Sequence, residues 1–513
     1  MAQPKVTQPN LLIFMVDQMA GTLLDDDMID HLHIPNMRKL IERGVKFDNA
    51  YSSSPLCTPA RGSFMTGMLP SRNGIYDNAA EFKATLPTFA HYLRKLGYQT
   101  ALSGKMHFVG PDQLHGFEER LTTDIYPADF GWTPNWEKPL ERIDWWYHNL
   151  SSVTQAGIAE ISNQLEYDDD VAYQAKLQLF RYGRRKDPRP FAMCVSFTHP
   201  HDPYVARRAF WDLYDPDKIP MPKTASMDYA DQDPHSQRLY DAVDYKKFSI
   251  SEDNIRDARR AYFANISYLD AKMGEILTVL DQCDFANTTQ IMICADHGDM
   301  LGERGLWYKM SFFEGAVRVP LIITAPQRFA PQRIATPVTT HDILPTLIEM
   351  AGGNSDDLVC AIDGESLVPF ADGREDLERS VYSEYCAEGS VAPMIMIRKG
   401  SYKFTYCPAD PPQLFDLKTD PLEYVNLATD AAHAPTLKAF MEEMQARWDF
   451  EAFTREVKHS QSCRQLIDHA NRQGRFTAWD YQPEVDAKER YMRNHLDLNV
   501  LEDANRYPKQ TKE

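Results

Sequence analysis

The sequence is short of positive charge, of long apolar runs and of paired cysteines, and each shortage removes a class of function. Lysine and arginine number 55 against 74 aspartate and glutamate, a net charge of −19. Such a surface repels nucleic acid and anionic lipid. No stretch approaches the roughly 20 apolar residues that a membrane-spanning helix needs. The run nearest the N-terminus, Leu11 to Val16, stops at Asp17 and is too short for a secretory signal. Cys57, Cys194, Cys283, Cys294, Cys360, Cys386, Cys407 and Cys463 show no CxxC spacing and read as reduced thiols. A soluble, cytoplasmic protein without nucleic-acid or membrane partners is the expectation. What is present is ordinary for a globular chain: 43% hydrophobic and 25% charged over 513 residues, enough for one large core with a satellite domain.

Apolar runs rich in β-formers alternate with helix-patterned segments, which predicts an α/β fold with a large, mostly parallel sheet sandwiched by helices. Leu11–Val16 ends in Asp17-Gln18, Phe191–Thr198 in His199-Pro200-His201-Asp202, and Gln290–Ala295 in Asp296-His297-Gly298-Asp299; a fourth run, Val319–Thr324, follows. Open α/β sheets bind ligands at the carboxyl ends of their strands, where these polar residues fall. The period predicts helices over Pro87–Leu96 and Ile255–Leu280. Residues Phe117–Asn149, rich in Trp, Pro and Tyr, fit neither period and read as an ordered insertion. From Val381, alternating segments at Met394–Arg398 and Tyr402–Tyr406 predict a small antiparallel sheet closed by a helix over Ala432–Trp448. The expected domains are a catalytic unit over 1–380, a subdomain over 381–458 and a tail over 459–513. That tail, poor in aliphatic residues, packs on its own body or on a neighbouring subunit.

The most informative segment is Ser54-Pro55-Leu56-Cys57-Thr58-Pro59-Ala60-Arg61-Gly62-Ser63-Phe64-Met65-Thr66-Gly67. Pro59 suits a first helical turn, so Cys57 sits at the helix mouth, where free amides favour an anion, with Arg61 one turn on. A lone cysteine is ordinarily a buried structural one. CxPxR followed by SxxTG, however, resembles the signature of type I sulfatases in the alkaline-phosphatase-like superfamily. The resemblance implies that a separate formylglycine-generating enzyme converts Cys57 to Cα-formylglycine. The hydrate of that aldehyde is a geminal diol: one hydroxyl attacks sulfur, the other later expels sulfate as the aldehyde re-forms.

The same resemblance implies metal ligands at Asp17, Gln18, Cys57, Asp296 and His297. Oxygen donors suit Ca²⁺; Gln18, where many sulfatases carry Asp, and His297, where Asn is frequent, leave Mn²⁺ as the alternative. Ser103-Gly104-Lys105-Met106-His107 matches the family's GKxH. Lys105 is thereby implied to hold sulfate oxygens, and His107 to orient or deprotonate the hydroxyl. His201, in a PHxP pattern, is implied beside the leaving oxygen in preference to His199, and Lys309 completes the set. With Arg61 these groups gather positive charge against a sulfuryl oxyanion in an acidic protein. Arg318, in Glu314–Pro320, is expected to be structural.

Tyr76–Phe82, Ser103–Arg120, Asp129–Trp132 and Asp144–Asn149 resemble the choline-sulfatase branch of the family, and the similarity runs nearly end to end. It implies hydrolysis of choline O-sulfate. A quaternary ammonium cannot donate a hydrogen bond and is held by aromatic faces and carboxylates. Trp132, with His148 and Asn149, is the expected wall; Asn78 is expected in the substrate pocket; Glu384 is the expected counter-charge, with Glu388 its rival. Competing readings are a phosphonate or phosphate monoester hydrolase, an arylsulfatase, and a binding protein that has lost catalysis. The resemblance also points to a homodimer or homotetramer, in which Asp497 reaches a neighbour's pocket.

Overall fold

The computed structural model describes residues 8–184, 187–484, 487, 491 and 495–508. Its largest sheet has eight strands in the order Gln332–Ile334, Val45–Phe47, Leu321–Thr324, Thr289–Ala295, Asn10–Asp17, Phe191–Pro200, Gln99–Gly104, Glu119–Arg120. The central strand is buried on both faces from Leu11 to Asp17, which is why it reads as a continuous apolar run rather than an alternating one. It lies parallel to both neighbours, with Val16 opposite Ala295 and Asp17 opposite Pro200. That register delivers Asp17, Asp296 and His201 to one edge of the sheet.

The fourth apolar run, Leu321–Thr324, pairs antiparallel with Thr289–Ala295. Composition tells a buried strand from a loop but carries no direction, and the chain returns here without a crossover helix. Long helices cover the sheet, among them Asn163–Arg184 and Glu252–Gln282. The latter starts three residues before the apolar period because Ser251 and Asn254 form a capping box. The helix expected over Pro87–Leu96 spans Phe89–Lys95, its start set by the Thr88 cap. No helix among the described residues is long and apolar enough to cross a membrane.

The C-terminal strands Val381–Tyr385, Met394–Lys399, Tyr402–Tyr406 and Gln413–Asp416 form an antiparallel meander in that order. Ile395, Ile397, Phe404 and Leu414 pack there with Phe440 and Met444 of the helix Ala434–Arg447. The same cluster takes in Leu69, Tyr76 and Trp136 from the catalytic body. The two units therefore share a core.

The boundary expected at 458/459 is displaced: residues Phe450–Arg472 form one helix that runs through it. Few aliphatic side chains mark this helix because its contact with the body is mixed: Phe453 and Val457 join the shared core, and the next turns dock through polar groups. Arg464 grips Asp77 with both terminal nitrogens, at 2.6 and 2.7 Å, and reaches Thr133 Oγ1 at 3.1 Å. Gln461 Oε1 accepts a hydrogen bond from Trp136 N at 2.9 Å. Trp479 packs edge-on against Phe130, and Tyr481 lies under Arg120. Asp497 caps the helix Leu498–Asn505 of its own chain through Asn499 N and Val500 N. Removing one partner of a buried ion pair strands the other charge, at about 3–5 kcal/mol. Arg464→Met is accordingly expected to lower the unfolding free energy in urea by several kcal/mol, with Asp77→Asn/Arg464→Met less destabilised than the single variant.

Candidate active site

The helix Cys57–Thr66 begins at Cys57, with Leu56 as its cap and Pro59 in its first turn. Four residues on, Arg61 is fully desolvated and joins the two strand-end carboxylates. Its Nη2 donates to Asp17 Oδ2 and its Nε to Asp296 Oδ2, both at 2.9 Å. Nη1 donates to Lys105 O at 2.7 Å and Ser196 Oγ at 2.9 Å. All three nitrogens of this fork therefore donate to neighbouring chain segments, so the helix mouth has one position relative to the sheet. Cys57 Sγ lies 3.2 Å from His297 Nε2 and 3.9 Å from Asp17 Oδ1.

Asp17, Cys57, Asp296 and His297 each offer a ligand atom, all within 4.8 Å of one another. Gln18 stands beside them: its N bonds Asp296 Oδ1 at 3.0 Å, and its Oε1 accepts from Lys309 Nζ at 2.7 Å. Two carboxylates, an amide oxygen and an imidazole make a donor set that fits a divalent cation. Burial holds the His297 ring below its ordinary range, hence neutral and able to offer a lone pair. Burial and the adjacent Asp17 push the Cys57 thiol up to about 11. A thiol that stays protonated at neutral pH is a weak nucleophile, so the unmodified side chain is not poised for attack.

The structure brings Lys105, His201 and Lys309 close to the same corner. Lys105 Nζ bonds Asp17 Oδ2 and lies 4.3 Å from the centre of the Tyr126 ring. His201 Nδ1 bonds Asp202 O, and its Nε2 lies 2.6 Å from Lys309 Nζ. A backbone carbonyl only accepts, so Nδ1 carries the proton and Nε2 accepts a hydrogen bond donated by the lysine. His199 turns away: its Nδ1 pairs with Asp168 at 2.7 Å and its ring packs edge-on to Tyr268. His107 is buried with neither ring nitrogen bonded; its backbone N is held by Asp124 Oδ2 at 2.8 Å. Arg318 pairs with Asp25 and bonds Asp48 O, away from the corner.

Trp132 stands edge-on to His107, with ring centres 5.9 Å apart, and parallel to Trp146 at 6.2 Å. Tyr126 touches both His107 and Trp132. His148 stacks on Tyr308 at 4.8 Å and reaches Asp202 Oδ2 at 3.3 Å. Two expectations change here. Glu384 does not line this wall: its carboxylate is used up by Ser71 N, Ser71 Oγ and Trp448 Nε1, at 2.6–2.7 Å. Its rival Glu388 is buried with Oε2 unbonded, close enough to interact with His148 and Lys309. Asn149 spends its side-chain oxygen on Ser151 N and instead holds Tyr308 OH with its carbonyl at 2.7 Å. Asn78 Oδ1 accepts from Thr58 N at 3.0 Å, at the first turn of the helix that Cys57 opens.

Sequence reasoning assigned no part to Tyr126, Trp146, Asp124, Asp202 or Asp299. The last two stood in the very motifs that named His201 and Asp296, and the aromatic pair stood inside the insertion.

A Sulfatase family model matches residues 9–353. The chain belongs to the sulfatase family. Models described as N-sulphoglucosamine sulphohydrolase, C-terminal, and choline sulfatase enzyme C terminal match residues 302–449 and 455–507. A choline-sulfatase of Rhizobium meliloti (strain 1021) is 55% identical over 98% of this chain and 99% of its own. Solved phosphonate monoester hydrolases of Agrobacterium radiobacter and Silicibacter pomeroyi superpose with TM-scores of 0.67 and 0.68, at 22% and 23% identity. Each covers 86% of this chain and 95% of its own. They share the fold, which is alkaline-phosphatase-like. This sulfatase is thus a sulfuric ester hydrolase, and its family carries a metal and a formylglycine nucleophile.

Burial, then Lys105, hold His107 down at about 3, against about 6.5 in an unfolded chain. Between those values the unfolded state binds one more proton than the folded state. The stability that neutral His107 contributes is therefore intact above about pH 6.5 and is lost as pH falls toward 3. His107→Asn is expected to flatten the fall of unfolding free energy between pH 6 and 4 by about 1.4 kcal/mol per pH unit, read from urea titrations at each pH.

Proposed function

We propose that this sulfatase hydrolyses choline O-sulfate to choline and sulfate, with a nucleophile made from Cys57 and a divalent cation, Ca²⁺ or Mn²⁺. The observation that carries the proposal is the aromatic wall of Trp132, Trp146 and Tyr126 in ring contact with His107, directly beside the anion-binding cations. A sulfate ester and a quaternary ammonium two carbons apart need that juxtaposition of cations and aromatic faces. The near end-to-end identity to a choline-sulfatase supports the same reading.

When bound, the cation would be held by Asp17, Gln18, Asp296, His297 and the side chain at 57, and would draw charge from the sulfuryl oxygens. When converted, position 57 supplies a diol, one oxygen to bond sulfur and one to release it. Arg61 fixes the helix mouth that carries this residue, so the nucleophile is oriented before substrate arrives. Lys105 lies where it can bind a sulfate oxygen. His107, neutral and with neither ring nitrogen bonded, is free to orient the hydroxyl by accepting its hydrogen bond. The Lys309–His201 pair shares a proton through a 2.6 Å contact and can deliver it to the departing choline oxygen. Trp132 and Trp146 exclude water around the trimethylammonium group, and Glu388 supplies the counter-charge.

Exposed Leu466, Leu496, Leu498 and Val500 on the C-terminal segment support association into a homodimer or homotetramer. The cysteines, none of them in a disulfide, support a cytoplasmic location.

Turnover of choline O-sulfate and of an aryl phosphonate by one preparation tests the assignment: choline O-sulfate is expected to be preferred, and preference for the phosphonate would overturn it. Trp132→Ala is expected to raise the KM for choline O-sulfate about 5–30-fold, the equivalent of a desolvated cation–π contact, with a much smaller effect on a small aryl sulfate. Equal losses on both substrates would remove Trp132 from the choline wall.

A further inference from the structure

Gln18 brings to the corner an amide whose oxygen and nitrogen have almost the same shape. Only the oxygen can serve a cation, so something must decide which atom faces inward. Its Oε1 accepts from Lys309 Nζ at 2.7 Å, and its Nε2 donates to Asp299 Oδ2 at 2.7 Å and more distantly to Asp202 Oδ1 at 3.4 Å. Asp299 is buried and takes donors on both oxygens. Oδ2 also receives Tyr204 OH at 2.7 Å, while Oδ1 receives Leu301 N at 2.9 Å and Tyr308 N at 3.0 Å. Every bond to this carboxylate is incoming, so it can neither rotate nor offer a donor. Gln18 itself has a left-handed backbone, φ 65°, which leaves its side chain few alternative directions. A carboxylate at position 18 would face two buried carboxylates, whereas the glutamine amide donates to both.

We propose that Asp299 is a positioning residue: it orients the Gln18 amide so that Oε1, not Nε2, faces Lys309 and the cation. The inference rests on the cation reading of this site. Asp299 touches no reacting atom and acts only through Gln18.

The test is calorimetric titration of Ca²⁺ and of Mn²⁺ into the full-length, metal-stripped protein, with melting curves to confirm folding. Asp299→Asn keeps an acceptor for Leu301 N and Tyr308 N but turns an amide donor toward Gln18. Gln18 then flips, and cation affinity is expected to fall about 10–100-fold, as for loss of an outer partner of a metal ligand. In a Gln18→Ala background the same D299N change is expected to cost less than about twofold, because the route through Gln18 is gone. Tyr204→Phe strips the other donor from Asp299 Oδ2 without disturbing Gln18, and is expected to leave affinity within about twofold of wild type; it keeps the proposal open to refutation should D299N not fold. D299N binding like the wild type, equal D299N losses in both backgrounds, or a tenfold loss in Tyr204→Phe would each overturn the orienting role. Wild-type protein that binds neither ion would defeat the cation reading and this inference with it.

Discussion

One guanidinium holds the corner at the strand ends together. Asp17 and Asp296 end adjacent parallel strands, and two carboxylates brought together out of water repel each other unless a cation lies between them. Arg61 is that cation, and it sits one helical turn from Cys57. The bond that neutralises the strand ends therefore also fixes where Cys57 stands. Desolvating three charges is costly, and the four hydrogen bonds of Arg61 to Asp17, Asp296, Lys105 O and Ser196 offset that cost. The arrangement reads more readily as a device for geometry than for stability.

The same constraint shows in the backbone. Gln18 and His107, each next to or within the site, adopt left-handed φ values of 65° and 56° although neither is glycine. Such conformations persist where surrounding bonds over-determine them. Here those bonds are Asp296 to Gln18 N and Asp124 to the amides of Met106 and His107. The strained residues are thus held by carboxylates: Asp296, itself one of the candidate cation ligands, and Asp124, which lies outside that donor set.

Much of this was legible in the residues. Buried parallel strands are written as apolar runs, and their polar last residues mark the binding edge, so Asp17, His201 and Asp296 could be found by pattern. Cys57, Pro59 and Arg61 share one helical turn and could be placed together. Long-range side-chain partners could not. Nothing in the spacing tells that Glu384 turns to Ser71 and Trp448 while Glu388, four residues on, is left free toward His148. Nor could the sequence show that Asn149 and Asn78 spend their side chains on backbone amides. The docking of the C-terminal helix was hidden because only Phe453 and Val457 mark its apolar contact and the rest is the polar grip of Arg464 on Asp77, whereas pattern reading looks for longer apolar stripes. The antiparallel course of Leu321–Thr324 was hidden for a different reason: side-chain periodicity is the same in both directions.

The two halves of the proposed substrate are met by different chemistry, cations and carboxylates on one side and aromatic faces on the other, with His107 and His201 between them. Both depend on position 57 being an aldehyde hydrate rather than the protonated thiol that burial enforces. Mass spectrometry of the Cys57 peptide from fully active enzyme tests this most directly. The account predicts a peptide that has lost its sulfur and gained an aldehyde, in proportion to activity across preparations; full activity from a peptide that still carries the thiol would contradict it.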